Sequence, residues 1–239
     1  MNLVIDIGNT LCKYYLFEDQ RLVSHHHSES HSLEWLDTLT PRPSAAIVST
    51  VVDLPAQAEQ RLQELGCEVV RFTSLTPTPL TNCYKTPERL GADRLAAAVG
   101  AWVQQPHHPL LIIDAGSCIT YDFVSHEGHY LGGNIAPGLH ARLRAIGDYF
   151  PRLPFVEADG PVPELGYDTE TAIRAGVIEG MRHEMNGYIS HFRRKYPDLL
   201  VFLTGGDAKL LAKTQTSCTF ADDFLLPRGL NAILTHITL

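Results

Sequence analysis

Two short runs place an aspartate at the end of an apolar stretch with a glycine just beyond it. They are Val4-Ile5-Asp6-Ile7-Gly8-Asn9-Thr10 and Ile112-Ile113-Asp114-Ala115-Gly116-Ser117-Cys118. Each reads as a strand entering a tight turn. Glycine there lets backbone N–H groups come close to a phosphate, and the Asn, Thr and Ser side chains add donors. A carboxylate does not favour phosphate, so Asp6 must face water or a cation, which suits hydrated Mg²⁺ beside a polyphosphate. One Asp-x-Gly describes many ordinary β-turns. Two of them 108 residues apart, near half the chain, predict paired phosphate-binding bends facing a cleft.

Two further glycine clusters fall between a strand and a helix: Gly132-Gly133-Asn134-Ile135-Ala136-Pro137-Gly138 and Thr204-Gly205-Gly206-Asp207. Such junctions set backbone and a helix N-terminus against a ligand, or allow tight helix–strand packing. Four glycine turns at strand ends favour a shared nucleotide cleft. Tyr84-x-x-Pro87-x-x-x-Gly91-Ala92-Asp93-Arg94 opens a helix, where an acidic first turn is also a normal capping preference. Beside a phosphate turn, Asp93 can accept a hydroxyl proton during phosphoryl transfer, and Arg94 can pair with a substrate carboxylate.

The elements that must position these residues follow from periodicity. Strands are expected at Leu3–Ile7, Cys12–Phe17 and Arg21–Ser24 as an antiparallel meander, and at Ala45–Ser49 and Cys67–Phe72. Helices are expected at Leu33–Leu39, at Pro55–Leu65 with Gly66 as its stop, and from about Arg89 to Val103; Thr73–Thr81 is a loop. The pattern then restarts. Leu110–Asp114, Ile119–Val124 and His129–Ile135 are strands, the last two joined by a turn at Glu127-Gly128. Then come a helix after Pro137, a long helix over Thr169–Tyr196, a strand at Leu199–Leu203, a helix at Ala208–Lys213 and a closing helix from Pro227. This is an α/β chain of two similar halves, residues 1–108 and 109–239, with a boundary near Gln105–Pro109. A single α/β domain with a chance echo is the competing description.

Composition fits such a chain: 239 residues, 44% hydrophobic, 19% charged, with a formal net charge of −8. The acidic balance argues against a nucleic-acid or anionic-membrane surface, which needs a basic footprint. No apolar run of about 18 residues spans a bilayer, and the N-terminus reads as the first strand rather than a leader. Five dispersed cysteines without a C-x-x-C pair argue against a disulfide framework or zinc site, and fit a reducing cytoplasm. Each cysteine is expected to be a small buried residue.

The motifs together resemble the ordered set of type III pantothenate kinases. Those that carry the likeness are Asp6-Ile-Gly8-Asn9-Thr10, Tyr84-x-x-Pro87, Gly91-Ala92-Asp93-Arg94, Asp114-Ala-Gly116-Ser117, Gly132-Gly133-x-Ile135-x-Pro137-Gly138, Leu153-Pro154 and Thr204-Gly205-Gly206. They run from residue 6 to about 206, and Gly-Ala-Asp-Arg is the most specific. The looser ones are shared with the actin/hexokinase/Hsp70 superfamily. The resemblance implies duplicated ribonuclease-H-like (actin-like ATPase) halves, with mixed sheets flanked by helices. It implies ATP-dependent phosphorylation of pantothenate to 4′-phosphopantothenate, the first step of coenzyme A synthesis, in a cytoplasmic homodimer.

It also implies residue roles. The turn Asp6, Ile7, Gly8, Asn9, Thr10, Leu11, Cys12 and Lys13 binds ATP phosphates, with Mg²⁺ near Asp6 through water, and Ser117 contacts ATP. Asp114 holds a monovalent cation, K⁺ or NH₄⁺. Asp93 accepts the proton, and Tyr84, Gly91, Ala92, Asp93 and Arg94 hold pantothenate. Thr169, at the start of the long helix, reaches the partner subunit's pantothenate site. Ser117 and Cys118 stand where the family usually has Thr and Ala, and Ala136 where it usually has Ser; the Ser117 hydroxyl keeps the ATP contact.

Three other features have plainer readings. His25-His26-His27 with His31 suggests a metal site, but consecutive strand residues point to alternate faces, which favours a solvated strand end. Asp122, Asp222 and Asp223 are expected on a solvated face, as are Arg142, Arg144 and Arg152. Two alternatives to a pantothenate kinase stand beside it: a catalytically silent nucleotide-binding regulator of the same fold, and a kinase of another small hydroxy-acid.

Overall fold

The computed structural model describes residues 1–212 and 218–238 and groups them into two compact units. The first takes in residues up to Pro106, the short stretch Gly128–Tyr130 and the chain from Phe224 onward; the second takes in His107–Glu127 and Leu131–Asp223. The first break falls close to the boundary read from the Gln-Pro-His-His-Pro segment. The C-terminal helix, assigned by sequence to the second half, groups with the first unit. Lys213 and Leu239 lie outside the described residues.

The first unit is built on a five-stranded mixed sheet. Strands β1 (Asn2–Ile7), β2 (Cys12–Glu18) and β3 (Arg21–Ser28) form the expected meander. Then β4 (Ala45–Thr50) and β5 (Glu68–Arg71) add in parallel beside β1, giving the order β3-β2-β1-β4-β5. Strand alternation sorts the sheet's faces. Leu3, Ile5 and Ile7 pack with Tyr14, Val48 and with Ala58 and Leu62 of α1 (Ala56–Gln63). Asn2, Val4 and Asp6 face the other way, toward α6 (Leu225–Thr238): the Asn2 side-chain amide donates to Asn231 Oδ1 at 3.0 Å. The Leu33–Leu39 segment forms only a 3₁₀ helix at Glu34–Thr38, entered through a left-handed Leu33 (φ 60°).

The helix carrying Asp93 is α2 (Ala92–Gln104), rich in alanine and hence strongly helix-forming. It crosses α6 with almost no intervening side chain, because a Cβ on Gly229 would lie 1.8 Å from Ala96 O. That close approach fixes α2, and with it Asp93, to the face of the sheet that bears Asp6. The short strand β6 (Thr81–Asn82) pairs in parallel with His129 and Tyr130.

The second unit repeats the plan. Strands β7 (Leu110–Ala115) and β8 (Cys118–Val124) form an antiparallel hairpin, β9 (His129–Pro137) lies beyond β8, and β10 (Leu200–Thr204) and β11 (Phe220–Ala221) run parallel to β7. Leu111, Ile113, Ala115, Ile119, Tyr121 and Phe123 face a core completed by α3 (Leu139–Tyr149), α4 (Thr169–Lys195) and α5 (Ala208–Ala212). A capping box starts α4: Thr171 N–H donates to Asp168 Oδ1 at 2.8 Å, and Asp168 N–H donates to Thr171 Oγ1. Arg193, Arg194 and Lys195 end it, matching the helix dipole.

Candidate active site

In the first unit the β1–β2 hairpin closes at the Ile7–Cys12 pair, leaving Gly8 to Leu11 as the turn. Gly8 N–H donates to Leu11 O at 2.9 Å, and a ring nitrogen of His31 lies 2.9 Å from Gly8 O. Asn9 and Thr10 are exposed, whereas Ile7 and Cys12 are buried in the core, so those two offer a ligand only backbone. Pairing lines up Ser49, Asp6, Lys13 and His27 across four strands on one face.

Burial pushes the Asp6 carboxyl above its ordinary value; the Lys13 ammonium pulls it down, and the negative charge of Asp93 pushes it up again. Asp6 and Asp93 are therefore close enough to feel each other. Asp93 itself is exposed, in the first turn of α2, its Oδ1 accepting the Arg94 N–H at 2.9 Å. Arg94 is buried with its guanidinium carbon 5.8 Å from the centre of the Tyr84 ring. Asn82, which sequence reasoning passed over, accepts the Tyr84 N–H on Oδ1 at 3.0 Å. Gly91, Ala92, Asp93, Arg94 and Tyr84 thus form one structured patch: a carboxylate with a fixed cation and a ring behind it.

In the second unit three glycine-containing segments converge. Gly116 N–H donates to Cys118 O, and Gly138 N–H donates to Ser117 O at 3.2 Å, which joins the β9–α3 loop to the β7–β8 turn. Gly205 must be glycine: its φ is +97°, and a Cβ there would lie 2.4 Å from Ala115 O and 2.5 Å from Asp114 Oδ1. Asp207 N–H donates to Ala115 O, drawing the start of α5 onto the same turn. Burial pushes the Asp207 carboxyl up, while His140, 3.8 Å away, pulls it down. Ser117 is exposed at the turn's tip.

Asp114 pairs across the sheet with Thr204 on one side and Thr120 on the other, a row of oxygen donors opposite the helix-covered face. The Thr120 hydroxyl is buried without a hydrogen-bond partner. Oxygen donors of this kind suit a hard cation rather than a transition metal. Among the described residues no group of three His, Cys, Asp or Glu side chains forms a metal cluster, and His25, His26 and His27 sit on the edge strand β3. His26 instead stacks on Trp35, 5.1 Å between ring centres.

Some surface expectations are corrected. Asp122 is buried, 1% exposed, because β8 turns it to the Asp114 face. Arg142 is not a free surface cation. It donates to Pro137 O at 2.7 Å and pairs with Glu184 at 2.9 Å, and Glu184 also accepts the Tyr121 hydroxyl at 2.8 Å. This network ties the end of β9 to α4, and residues 132–137, expected as a turn between strand and helix, are part of that strand. Arg152 lies beyond the end of α3. Of the cysteines, Cys12 is buried, but Cys83 and Cys118 are exposed. Thr169 is exposed at the start of α4, lining an apolar groove of about 560 Å³ with Ile146, Phe150, Leu153 and Ile173.

Comparison with known proteins settles what this arrangement belongs to. The type III pantothenate kinase family model matches residues 2–191, which take in both aspartate turns, the Gly-Ala-Asp-Arg segment and Thr169. The chain belongs to the type III pantothenate kinase family. A family member from Phocaeicola vulgatus is 47% identical over 238 residues, covering 99% of this chain and 98% of its own. One from Bacteroides fragilis is 48% identical with the same coverage. Solved structures agree on the fold. A Campylobacter jejuni protein described as a Baf family transcriptional activator superposes with a TM-score of 0.64 at 21% identity, covering 99% of this chain and 98% of that one. The ROK hexokinase of Thermus thermophilus gives 0.56 at 13% identity, covering 99% of each. Duplicated halves of the actin and hexokinase kind are thus the fold of this type III pantothenate kinase family member.

Proposed function

We propose that the protein transfers the γ-phosphoryl group of ATP to the primary hydroxyl of pantothenate, with Asp93 as the proton acceptor. Family membership supports the reaction and both substrates. The observation that carries the residue assignment is the Asp6–Asp93 neighbourhood in the first unit, with Lys13 and the Arg94–Tyr84 pair beside it. The exposed Asp93 carboxylate takes the hydroxyl proton as the oxygen attacks phosphorus. Arg94 holds the pantothenate carboxylate, its guanidinium fixed over Tyr84, while Gly91 and Ala92 offer backbone. The Asp6–Lys13 turn supplies N–H groups and the Lys13 ammonium to the phosphates.

A divalent metal fits Asp6, a half-buried carboxylate whose ionised form is disfavoured by desolvation and again by the charge of Asp93. Mg²⁺ held there through water neutralises phosphate charge. In the second unit Ser117, whose hydroxyl is exposed, is the residue we assign to ATP contact. Asp114, in its row of oxygen donors, fits a monovalent cation, K⁺ or NH₄⁺, which supplies fixed positive charge. The protein works as a homodimer in the cytoplasm, Thr169 serving the partner subunit's pantothenate. In support, the surface near Thr169 exposes Tyr149, Phe150, Phe155, Leu165 and Tyr167, all more than half accessible. No helix among the described residues is long and apolar enough to cross a membrane.

The test is ADP release over a panel of small hydroxy-acids and sugars, with and without K⁺. Turnover confined to pantothenate and raised by K⁺ is expected. ATP binding with silence across the panel would contradict a working kinase, and preference for another acceptor would overturn the choice of substrate.

A further inference from the structure

We propose that the Thr120 hydroxyl is the second side-chain ligand of the cation held at Asp114. This rests on the assignment of a monovalent cation to Asp114 and adds to it a residue that carries no motif. Three observations converge. Thr120 is the direct cross-strand partner of Asp114, a position at which side chains share a face with Cβ atoms about 4.5–5.5 Å apart. Its Oγ1 is buried with no hydrogen-bond partner, and a buried hydroxyl left unmet destabilises the fold. The surroundings are electronegative: Asp114 beside it, Thr204 on the far side of Asp114, and Asp122, buried, two residues along β8 on the same face.

A hydroxyl beside a carboxylate has two ways to be satisfied. It can donate its proton to an acceptor, or turn its lone pairs to a cation shared with that carboxylate. No donated bond is made. A hard cation shared by Asp114 and Thr120 would answer the orphaned oxygen and the concentrated negative charge together. Gly205, with no Cβ to collide with Asp114 Oδ1, leaves the carboxylate room in this position.

The duplication shows why this residue escapes a motif search. In the first unit four residues separate the paired ends of the hairpin, Ile7 and Cys12; in the second only three separate Ala115 from Ile119. The shorter turn shifts the register by one, so the counterpart of Lys13 is Thr120 and not the residue 108 positions on. The first unit thus has a built-in ammonium beside its aspartate, where the second has a hydroxyl and takes its positive charge from solution.

The test measures the melting temperature of the nucleotide-free chain against KCl, with tetramethylammonium chloride holding ionic strength constant. The parent is expected to show a saturable rise and Asp114→Asn none. Thr120→Val should need at least tenfold more K⁺ for half-saturation, and Thr120→Ser should respond like the parent. Without K⁺, Thr120→Val should melt no lower than the parent, since it removes an unmet hydroxyl at nearly constant shape, and that outcome also reports that it folds. A Thr120→Val curve matching the parent's, with Asp114→Asn silent, would overturn the role of Thr120 and leave the Asp114 site standing; the hydroxyl would then be served by water. No response in the parent would remove the Asp114 cation and the Thr120 proposal together.

Discussion

Asp6, the carboxylate proposed to serve Mg²⁺-ATP, sits at odds with the stability of its own fold. Burial raises its pKa from the ordinary 3.8, and Asp93 adds to the rise. With the folded value above the unfolded one, its favourable contribution is complete below the unfolded value and is lost as pH climbs through the folded one. At neutral pH the free chain therefore carries a cost that the Lys13 ammonium offsets only in part. Asp6→Asn should melt at or above the parent without nucleotide at pH 7, its advantage should shrink as the pH falls toward the unfolded value of 3.8, and it should lose the stabilisation given by Mg²⁺-ATP. Calorimetry with and without nucleotide reads both effects; a variant that melts lower alone yet still gains from Mg²⁺-ATP would contradict this view of Asp6.

Residues of this kind were legible because chemistry confined them to short motifs. Asp6 and Asp114 each stand two residues before a glycine and Asp93 in a helix's first turn, and the structure puts them at strand ends and a helix start. Thr120 and Asn82 were not legible, since each works through a partner brought in by register or by a local turn. Asp122 misled for the complementary reason: composition speaks for solvated aspartates, and only strand parity shows that this one turns inward.

At the scale of elements, hydrophobic period located the longer strands and the long helices with boundaries that moved by up to four residues, as at β3, and it missed the two-residue strands β6 and β11. The helix expected at Leu33–Leu39 is a 3₁₀ helix over Glu34–Thr38, entered through a left-handed Leu33. The tie between Arg142, Pro137 O, Glu184 and Tyr121 could not be read at all, since it joins β8, the end of β9, α3 and α4 through side chains far apart in sequence. Tyr149 at the end of α3 and Phe150, Phe155 and Tyr167 in the segment leading to α4 are exposed, and Phe150 and Leu153 line one groove with Thr169. Burying that surface against a second copy predicts a dimer, and a charge within it should break the pairing. Sedimentation should give a dimer for the parent and a folded monomer with impaired pantothenate use for Phe150→Glu. A monomeric parent with full activity would contradict this role of the α3–α4 face.

At the scale of the whole molecule, the 108-residue echo was the most informative line of the sequence, and its structural content is a repeated hairpin with a parallel strand beside it. In each unit the aspartate stands between a hydroxyl-bearing residue on the parallel strand, Ser49 or Thr204, and the hairpin partner, Lys13 or Thr120. The return of α6 to the first unit was not visible from order along the chain, because that helix is held by close backbone contact with α2 rather than by a motif. The two units thus share a plan and differ in equipment: the first carries the proposed base and a fixed ammonium, the second the oxygen-rich row.

The central claim is that Asp93 takes the proton from the pantothenate hydroxyl. Its most direct test is ADP release by Asp93→Asn with saturating ATP, pantothenate and K⁺, alongside a melting curve with and without Mg²⁺-ATP. The variant should fold, keep its stabilisation by nucleotide, and turn over about 10²–10⁴-fold more slowly than the parent. Turnover within a few-fold of the parent in a folded, nucleotide-binding variant would contradict the account.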